Sequence, residues 1–199
     1  ALLLAFSTTI GCSDRNLTPP MDTPKGDVPA TNASQVSTHA ARSVPLVTSA
    51  PFALKGGAFV AANRNIFAHV SGDFSLTVTS IDNPHSLQLH PTRIERGMRS
   101  LLASGAPVSE GGAVARHVGS VHERVELRAD GAEETWSFDH KPEGAGDLVV
   151  HQGARARGDV VIEPRAIRFV SERLRVSEGK WIDARGVETR VPVAYRDGE

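Results

Sequence analysis

The sequence lacks most of the features that let small exported proteins fold without a large core. It has one cysteine among 199 residues, so no disulfide can form within the chain and no site can be built from several cysteines. Aromatic residues make up 5% of the chain. The 22 basic and 23 acidic residues leave a net charge of −1. Near neutrality argues against a nucleic-acid partner, which requires a clustered positive surface.

The chain also lacks a hydrophobic run of the roughly 20 residues that cross a bilayer. Its apolar start, residues 1–6, is instead typical of the middle of a secretory leader. Residues 10–13, Ile-Gly-Cys-Ser, resemble the lipobox of bacterial lipoproteins, in which a peptidase cuts before the cysteine and the sulfur carries a lipid. Thr9 departs from that pattern, where an aliphatic residue is usual. We predict that residues 1–12 are a truncated lipoprotein leader and that Cys12 is the lipidation site; the alternative is a stray thiol.

Ser13 follows the cysteine, and a serine there resembles the pattern that favours passage to the outer membrane. We therefore expect a cell-envelope protein, an outer-membrane lipoprotein facing the periplasm or the cell surface. A balanced charge offers no polybasic patch, so the membrane contact would depend on the lipid. A surface protein or a glycan is the expected further partner.

Residues 13–51 differ in composition from the rest of the chain. They hold half of the prolines, and Ser, Thr, Asn and Asp make up nearly half of their other residues. Such a segment buries too little apolar surface to offset the entropy lost on ordering. We predict that it is a disordered tether.

Residues 52–199 form short runs in which apolar and polar residues alternate, separated by Gly, Asp, Asn and Pro. This period of two is typical of half-buried strands. The runs predict that Phe74, Leu76 and Val78 share one face, and they place Val160 with Ile162. We predict an all-β, antiparallel β-sandwich-like domain that continues past residue 199. A helix over residues 93–103 is the weaker alternative to a strand there, because Gly97 lies inside it.

The clearest local element is a hairpin over residues 121–138. Asp130-Gly131 is a sequence that supplies the positive φ angles of a two-residue type I′ turn. With those two residues as the loop, Arg128 is paired with Glu133 and Val125 with Trp136. Charged residues then share one face of the hairpin and apolar residues the other, with Glu123 as an exception on the apolar face.

Chemistry-bearing residues are present but form no local constellation. His85 and His90 are five residues apart, as are His117 and His122, and an odd separation within one strand points two side chains to opposite faces. Adjacent Glu133-Glu134 diverge for the same reason.

No phosphate loop, nucleophile elbow or calcium loop is found in the sequence; Gly56-Gly57 and Gly111-Gly112 lack the helix and the Lys-Ser/Thr that a phosphate site needs. Asp183 and Glu188 flank a turn expected at residues 183–186, between two strands. We therefore predict no catalytic residue, no metal site and no cofactor.

Three aromatic residues could form a platform on which a sugar stacks. Trp136 and Tyr195 lie on predicted apolar faces, so core packing is the better interpretation for both. Trp181 is left as the possible ligand-binding residue.

Two stretches together carry a family resemblance: residues 126–138 (ELRADGAEETWSF) and residues 181–186 (WIDARG), with residues 146–150 and 167–169 between them. This order resembles the N-terminal β-rich module of large bacterial surface lipoproteins that continue into FG-GAP or VCBS-type repeats. The resemblance implies a β-sandwich-like leader module, export, and a role in adhesion or surface scaffolding. The expected function is that of a non-enzymatic, lipid-anchored envelope protein; the alternative is a carbohydrate-binding module.

Overall fold

The computed structural model describes residues 4–12, 51–97, 99–101 and 105–196, and all regular structure in them is β-strand. The predicted tether, apart from Pro51, lies outside the described residues. The strands are β1 Leu4–Cys12, β2 Ala53–Lys55, β3 Ala58–Ala62, β4 Ile66–Val70, β5 Leu76–Ser80, β6 Ser86–Arg96, β7 Arg99–Ser100, β8 Val108–Glu110, β9 Ala113–Val118, β10 Val121–Leu127, β11 Gly131–Phe138, β12 Leu148–Arg155, β13 Val160–Glu163, β14 Ala166–Phe169, β15 Leu174–Ser177, β16 Gly179–Ile182 and β17 Glu188–Val191.

The strands form two antiparallel sheets. The first sheet runs β13-β14-β15-β1-β11-β10-β9-β8, and the β16–β17 hairpin joins it along β1. The second sheet runs β12-β6-β5-β4-β3-β2, with β7 beside β6. Buried residues from both sheets pack into shared apolar clusters. The prediction of an all-β, antiparallel sandwich-like domain is confirmed.

The second sheet follows local sequence rules closely. Leu76 and Val78 of β5 are buried, as the alternation predicted. Phe74 is buried too, but it precedes the strand with a φ of 68°, and Ser75, expected on the other face, is also buried. Residues 93–103 form no helix in their described part: β6 continues to Arg96 and β7 follows. Gly56-Gly57 is the turn between β2 and β3, and both glycines have a positive φ. The meander is therefore built from consecutive strands joined by short turns.

Strand β1 occupies the middle of the first sheet. It pairs with β11 over residues 4–11 and, on its other side, with β16 and β15. Phe6 lies opposite both Trp136 and Trp181. The apolar start that was predicted to be a leader is thus part of a strand here, and its peptide groups join two halves of one sheet.

The β10–β11 hairpin exists, but its predicted register is wrong by two residues. Arg128 N–H donates to the Gly131 carbonyl at 2.7 Å, so the loop is Ala129-Asp130 rather than Asp130-Gly131. Glu126 is paired with Glu133, and Val125 with Glu134.

Because a shift of two keeps every residue on its face, the division into a charged and an apolar side survives. Ala129, Asp130 and Gly131 all lack a positive φ, which rules out a type I′ turn in either register.

One predicted face is also wrong at the sheet edge. Ile162 of β13 is 65% exposed, although its pattern matched that of Val160. Val160, on the same face, is partly buried against the large cluster, so only the Val160 end of this terminal strand is covered. Ile167 and Phe169 on the neighbouring strand are buried as predicted.

The interior is divided into two apolar clusters. The large cluster fills most of the sandwich: Phe52, Phe59, Ala61, Ile66, Ala68, Val70, Phe74, Leu76, Val78, Leu87, Leu89, Val114, Val125, Leu127, Ala132, Ile167, Phe169, Leu174 and Val176. The small cluster has a buried set of Ile94, Val121, Trp136 and Phe138, with Leu101, Leu148, Val150 and Trp181 partly buried against it. Both clusters take residues from both sheets.

A layer of polar side chains separates the two clusters. It consists of Arg116 on β9, Glu123 on β10, Glu134 on β11 and Gln152 on β12. On β11 the inward positions change from Phe138 and Trp136, through Glu134, to Ala132 of the large cluster. We call these four residues the polar layer.

Candidate functional site

A concave site lies at the small-cluster end of the sandwich. It is a groove of about 840 Å³ between the start of β12 and the β16–β17 hairpin. Its apolar lining consists of Pro142, Leu148, Val149, Val150, Trp181, Ala184, Val191 and Pro192. A partly open apolar cleft between two sheet ends is the usual form of a ligand site.

Trp181 lies where the small cluster meets this groove. Its ring centroid is 6.2 Å from that of Phe138, with the rings tilted by 43°, and the side chain is only partly buried. Trp136, by contrast, is 1% exposed, and Tyr195 packs edge-on against Phe169. The core assignment of Trp136 is confirmed, Tyr195 packs against the large cluster, and Trp181 is the one of the three beside the groove.

The groove carries more positive than negative charge on its rim. Its lining includes four cations and two carboxylates: Arg96, Lys141, Arg185, Arg190, Asp147 and Asp183. Arg185 pairs with Asp183 at 3.0 Å, and Arg190 with Glu178 at 3.1 Å. Arg96 and Lys141 have no carboxylate partner among the described residues, so their charges remain available to a ligand.

Arg96 holds one wall of the groove in place. Its Nη1 donates to the Pro142 carbonyl at 2.5 Å and its Nε to the Gly146 carbonyl at 3.2 Å. The wall approaches β6 so closely that a Cβ on Gly144 would lie 2.6 Å from the Arg96 carbonyl oxygen. This glycine also has a positive φ, so a larger residue would be strained and would displace the wall.

Asp183 shapes the turn on the opposite side. Its carboxylate accepts backbone N–H groups from Val187 at 2.9 Å and Arg185 at 2.8 Å. The Val187 hydrogen bond is the main reason that the pKa of Asp183 lies below its ordinary value, and the Arg185 side chain adds to it. Gly186 N–H donates to the Asp183 carbonyl, which confirms the turn predicted at residues 183–186. Asp183 is therefore an ionised turn former.

Among the residues that the structure describes, the polar layer holds the one carboxyl group whose pKa is raised strongly. Arg116 Nε lies 2.5 Å from Glu123 Oε2, and Gln152 Nε2 donates to Glu134 Oε2 at 2.6 Å. Burial raises the pKa of Glu134 well above its ordinary value, and the nearby charge of Glu123 raises it further. The single hydrogen bond from Gln152 does not offset these two effects, so the protonated form of Glu134 is favoured.

Sequence reasoning found part of this layer. Glu133 and Glu134 do lie on opposite faces, with Glu134 buried and Glu133 partly exposed. The convergence with Arg116 and Gln152 was missed. The sequence did contain one signal, because Glu123 lies on an otherwise apolar face of its strand. A buried carboxylate needs hydrogen-bond partners, and these must come from neighbouring strands.

The predicted divergence of His117 and His122 is wrong. The two residues are direct cross-strand partners of the β9–β10 hairpin, and their rings stack at 4.1 Å. The odd-separation rule holds within one strand, but Gly119-Ser120 forms a turn between two strands. A Gly-X pair is the signature of a type II′ hairpin turn, and the positive φ of Gly119 fits it.

Cys12, the predicted lipidation site, lies at the end of β1, where its backbone pairs with Leu174. No protein-family model matches this chain, and neither the curated proteins nor the solved structures include a match. The resemblance to the β-rich module of FG-GAP or VCBS-type lipoproteins stays a prediction, and arguments about function depend on the site itself.

Proposed function

We propose that this chain is a non-enzymatic, lipid-anchored cell-envelope protein whose sandwich domain serves as an adhesion module and binds an acidic glycan in the Trp181 groove. The observation that carries the glycan part is the combination of one partly exposed tryptophan with an excess of rim cations. Sugars stack their apolar ring faces on aromatic side chains, and carboxylated or sulfated sugars are attracted by arginine and lysine.

The charges of the groove favour an anionic ligand over a neutral one. Arg96 is fixed by two backbone carbonyls, which do not neutralise it, and Lys141 is unpaired among the described residues. Both line the same groove as Trp181. A ligand carboxylate or sulfate there would gain charge-assisted hydrogen bonds while a sugar ring covers the indole.

The carboxyl groups of the domain support binding rather than glycoside hydrolysis. A glycosidase needs one carboxylic acid that keeps its proton beside the substrate. Asp183 lines the groove, but its hydrogen bonds lower its pKa and favour the ionised form. Glu134 has a raised pKa, but it is buried in the polar layer and does not line the groove.

Binding can be measured by calorimetry with a galacturonic acid hexamer, with maltohexaose as the neutral probe. We expect the acidic hexamer to bind, the neutral one to bind at least about tenfold more weakly, and the affinity to fall with salt. Trp181→Ala should weaken binding at least about tenfold, as expected for a central aromatic contact. Equal binding of both probes would contradict the acidic assignment.

Phe67→Ala provides a matched control. Phe67 is also an exposed aromatic, 42% accessible, but it lies on β4 and does not line the groove. Its loss should leave binding unchanged. If Phe67→Ala and Trp181→Ala weaken binding equally, the groove is not the site.

The anchor is a separate part of the proposal. Its support is the apolar start followed by the lipobox-like residues 10–13. Among the described residues, no helix is long and apolar enough to cross a membrane. Cleavage before Cys12 would also remove most of β1, whose residues 4–11 pair with β11. Retention of β1 and lipidation of Cys12 are therefore alternatives for the mature protein.

Mass spectrometry of the N-terminal peptide from membrane fractions separates these alternatives. The anchor proposal predicts a peptide that begins at an acylated Cys12, and Cys12→Ala should leave an unprocessed precursor. Ser13→Ala is the control, since it leaves the cysteine in place. An unmodified peptide containing residues 4–12 would contradict the anchor while leaving the glycan proposal intact.

A further inference from the structure

Three potential metal ligands converge on the outer face of the first sheet. Nε2 of His122 lies 3.2 Å from Oε2 of Glu110, and Nε2 of His117 lies 3.9 Å from the same oxygen. One donor atom from each residue lies within 4.8 Å of the other two. Both imidazoles therefore direct the same nitrogen at one carboxylate oxygen.

Two tight turns bring these residues together. Gly111-Gly112 joins β8 to β9 immediately after Glu110, and both glycines have a positive φ. Gly119-Ser120 joins β9 to β10 and places His117 directly opposite His122. Each ligand lies on a strand within two residues of a hairpin loop, so the backbone positions are fixed by the ladder hydrogen bonds.

We propose that Glu110, His117 and His122 form a binding site for a divalent transition-metal ion such as Zn²⁺. Two imidazoles and one carboxylate are a donor set that Zn²⁺ accepts, with water in the remaining position. Donor atoms around a tetrahedral ion with bonds of about 2.0–2.1 Å lie about 3.4 Å apart. The side chains of Glu110 and His117 are 50% and 65% exposed, so they have room to close onto the ion.

The surroundings of the cluster tolerate an added cation. Arg124 is the nearest positive side chain on the same face of β10, and its Nη1 is held 2.5 Å from Glu126. Ser137, the β11 partner of His122, donates its hydroxyl to the His122 carbonyl and so does not occupy the imidazole nitrogens. The site lies outside the lining of the Trp181 groove, so it is independent of the proposed glycan binding.

The ion would connect three consecutive strands at an edge of the sheet. β8 is the terminal strand on this side, with only three residues paired to β9. A bond from Glu110 through the metal to β10 would hold this short strand in place. Because the ion binds the folded hairpins and not the unfolded chain, it should raise the midpoint of thermal unfolding.

Calorimetric titration of the full chain with ZnCl₂ at neutral pH tests the site. We expect one ion per chain, a higher unfolding temperature with zinc, and weaker binding at acid pH because protons compete for the imidazoles. His117→Ala and His122→Ala should each weaken zinc binding at least about tenfold. Glu110→Gln should also weaken zinc binding, although the glutamine side chain has the same shape as the glutamate. His140→Ala, another exposed histidine, is the matched control.

Cu²⁺ provides a second readout, since nitrogen ligands split its electron paramagnetic resonance spectrum. The site predicts two equivalent nitrogens in the wild type, one in either alanine variant, and two in His140→Ala. Zinc affinity that is unchanged in the double variant His117→Ala/His122→Ala would overturn the proposal. So would a copper spectrum in which the nitrogen count does not depend on these two residues.

Discussion

The two apolar clusters share strands β6, β10 and β11 but differ in how much of their surface is covered. The large cluster is enclosed by both sheets, and residues such as Ile66 and Leu174 in it have no exposed surface. The small cluster has four buried residues, and its remaining members are only partly buried beside the groove. The polar layer lies between them. One end of the sandwich is therefore closed, whereas the other presents apolar surface that a ligand can cover.

Because of this difference, residues that determine stability and residues that bind a ligand lie at opposite ends of the same strands. β10 and β11 contribute inward residues to the large cluster, the polar layer and the small cluster in turn. A substitution at the closed end should change the free energy of unfolding, whereas one at the open end should change ligand affinity.

The largest effect is expected in the large cluster. Phe169 is 1% exposed, and its removal in Phe169→Ala should lower the free energy of unfolding by about 3–5 kcal/mol. Trp181→Ala should cost only about 1–2 kcal/mol, because that side chain is already partly in water. Urea unfolding of both variants checks this. If the two losses are equal, the clusters do not differ in the way proposed.

Removal of the cation from the polar layer should have the next largest effect. Arg116→Met leaves Glu123 buried without its partner, at a cost of about 3 kcal/mol. The double variant Arg116→Met/Glu123→Gln removes the unpaired charge, so it should recover much of that loss. Urea midpoints of the two variants provide the measurement. A double variant as unstable as the single one would show that packing of Arg116 over Phe74, rather than charge, is what matters.

The polar layer also predicts a pH dependence. The pKa of Glu134 is raised in the folded state, so below pH 4.5 both states hold the proton and the contribution to stability is complete. As the pH rises, the unfolded chain releases the proton first. The free energy of unfolding therefore falls, by up to about 1.4 kcal/mol per pH unit, until Glu134 ionises in the folded state.

Glu134→Gln should remove this decline, since the amide stays neutral and can still accept from Gln152. Glu133→Gln, on the opposite face of β11, is the control and should retain the decline. Thermal unfolding of the three proteins across a pH series checks the comparison. A decline that persists in Glu134→Gln would assign the effect to another group.

The smallest effect is expected at Asp73, in the turn before β5 and outside the polar layer. Hydrogen bonds from the Ser71 hydroxyl and the Ser75 backbone lower its pKa to about 2. Its contribution is therefore present above its ordinary value of 3.8 and is lost as the pH falls towards 2. Asp73→Asn should flatten this acid limb of the stability curve. An unchanged limb would show that the turn does not depend on the charge.

Much of the fold could be predicted from local sequence. Alternation placed Leu76 and Val78 on one buried face of β5, and the faces of β10 and β11 were assigned correctly. The register of that hairpin could not be fixed, because Ala129-Asp130 and Asp130-Gly131 both allow a turn that preserves the faces. The insertion of β1 between β11 and β15 joins residues far apart in the sequence, and no local pattern reports it.

The candidate sites likewise include one that the sequence could have predicted and one that it could not. The pairing of His117 with His122 could have been predicted from the sequence, because Gly119-Ser120 is typical of a hairpin turn. The groove could not, since Trp181, Arg96 and Pro142 meet only when both sheets are assembled. Trp181 was identified as a possible ligand residue by exclusion, and its cationic surroundings are a product of the three-dimensional fold.

The claim that the open end of the sandwich is the binding end is tested most directly by one titration. Calorimetry with a galacturonic acid hexamer should be run on the wild type and on Trp181→Ala, with circular dichroism to show that the variant is folded. The account predicts measurable binding by the wild type and at least about a tenfold loss in the variant. A folded Trp181→Ala protein that binds the hexamer as tightly as the wild type would contradict it.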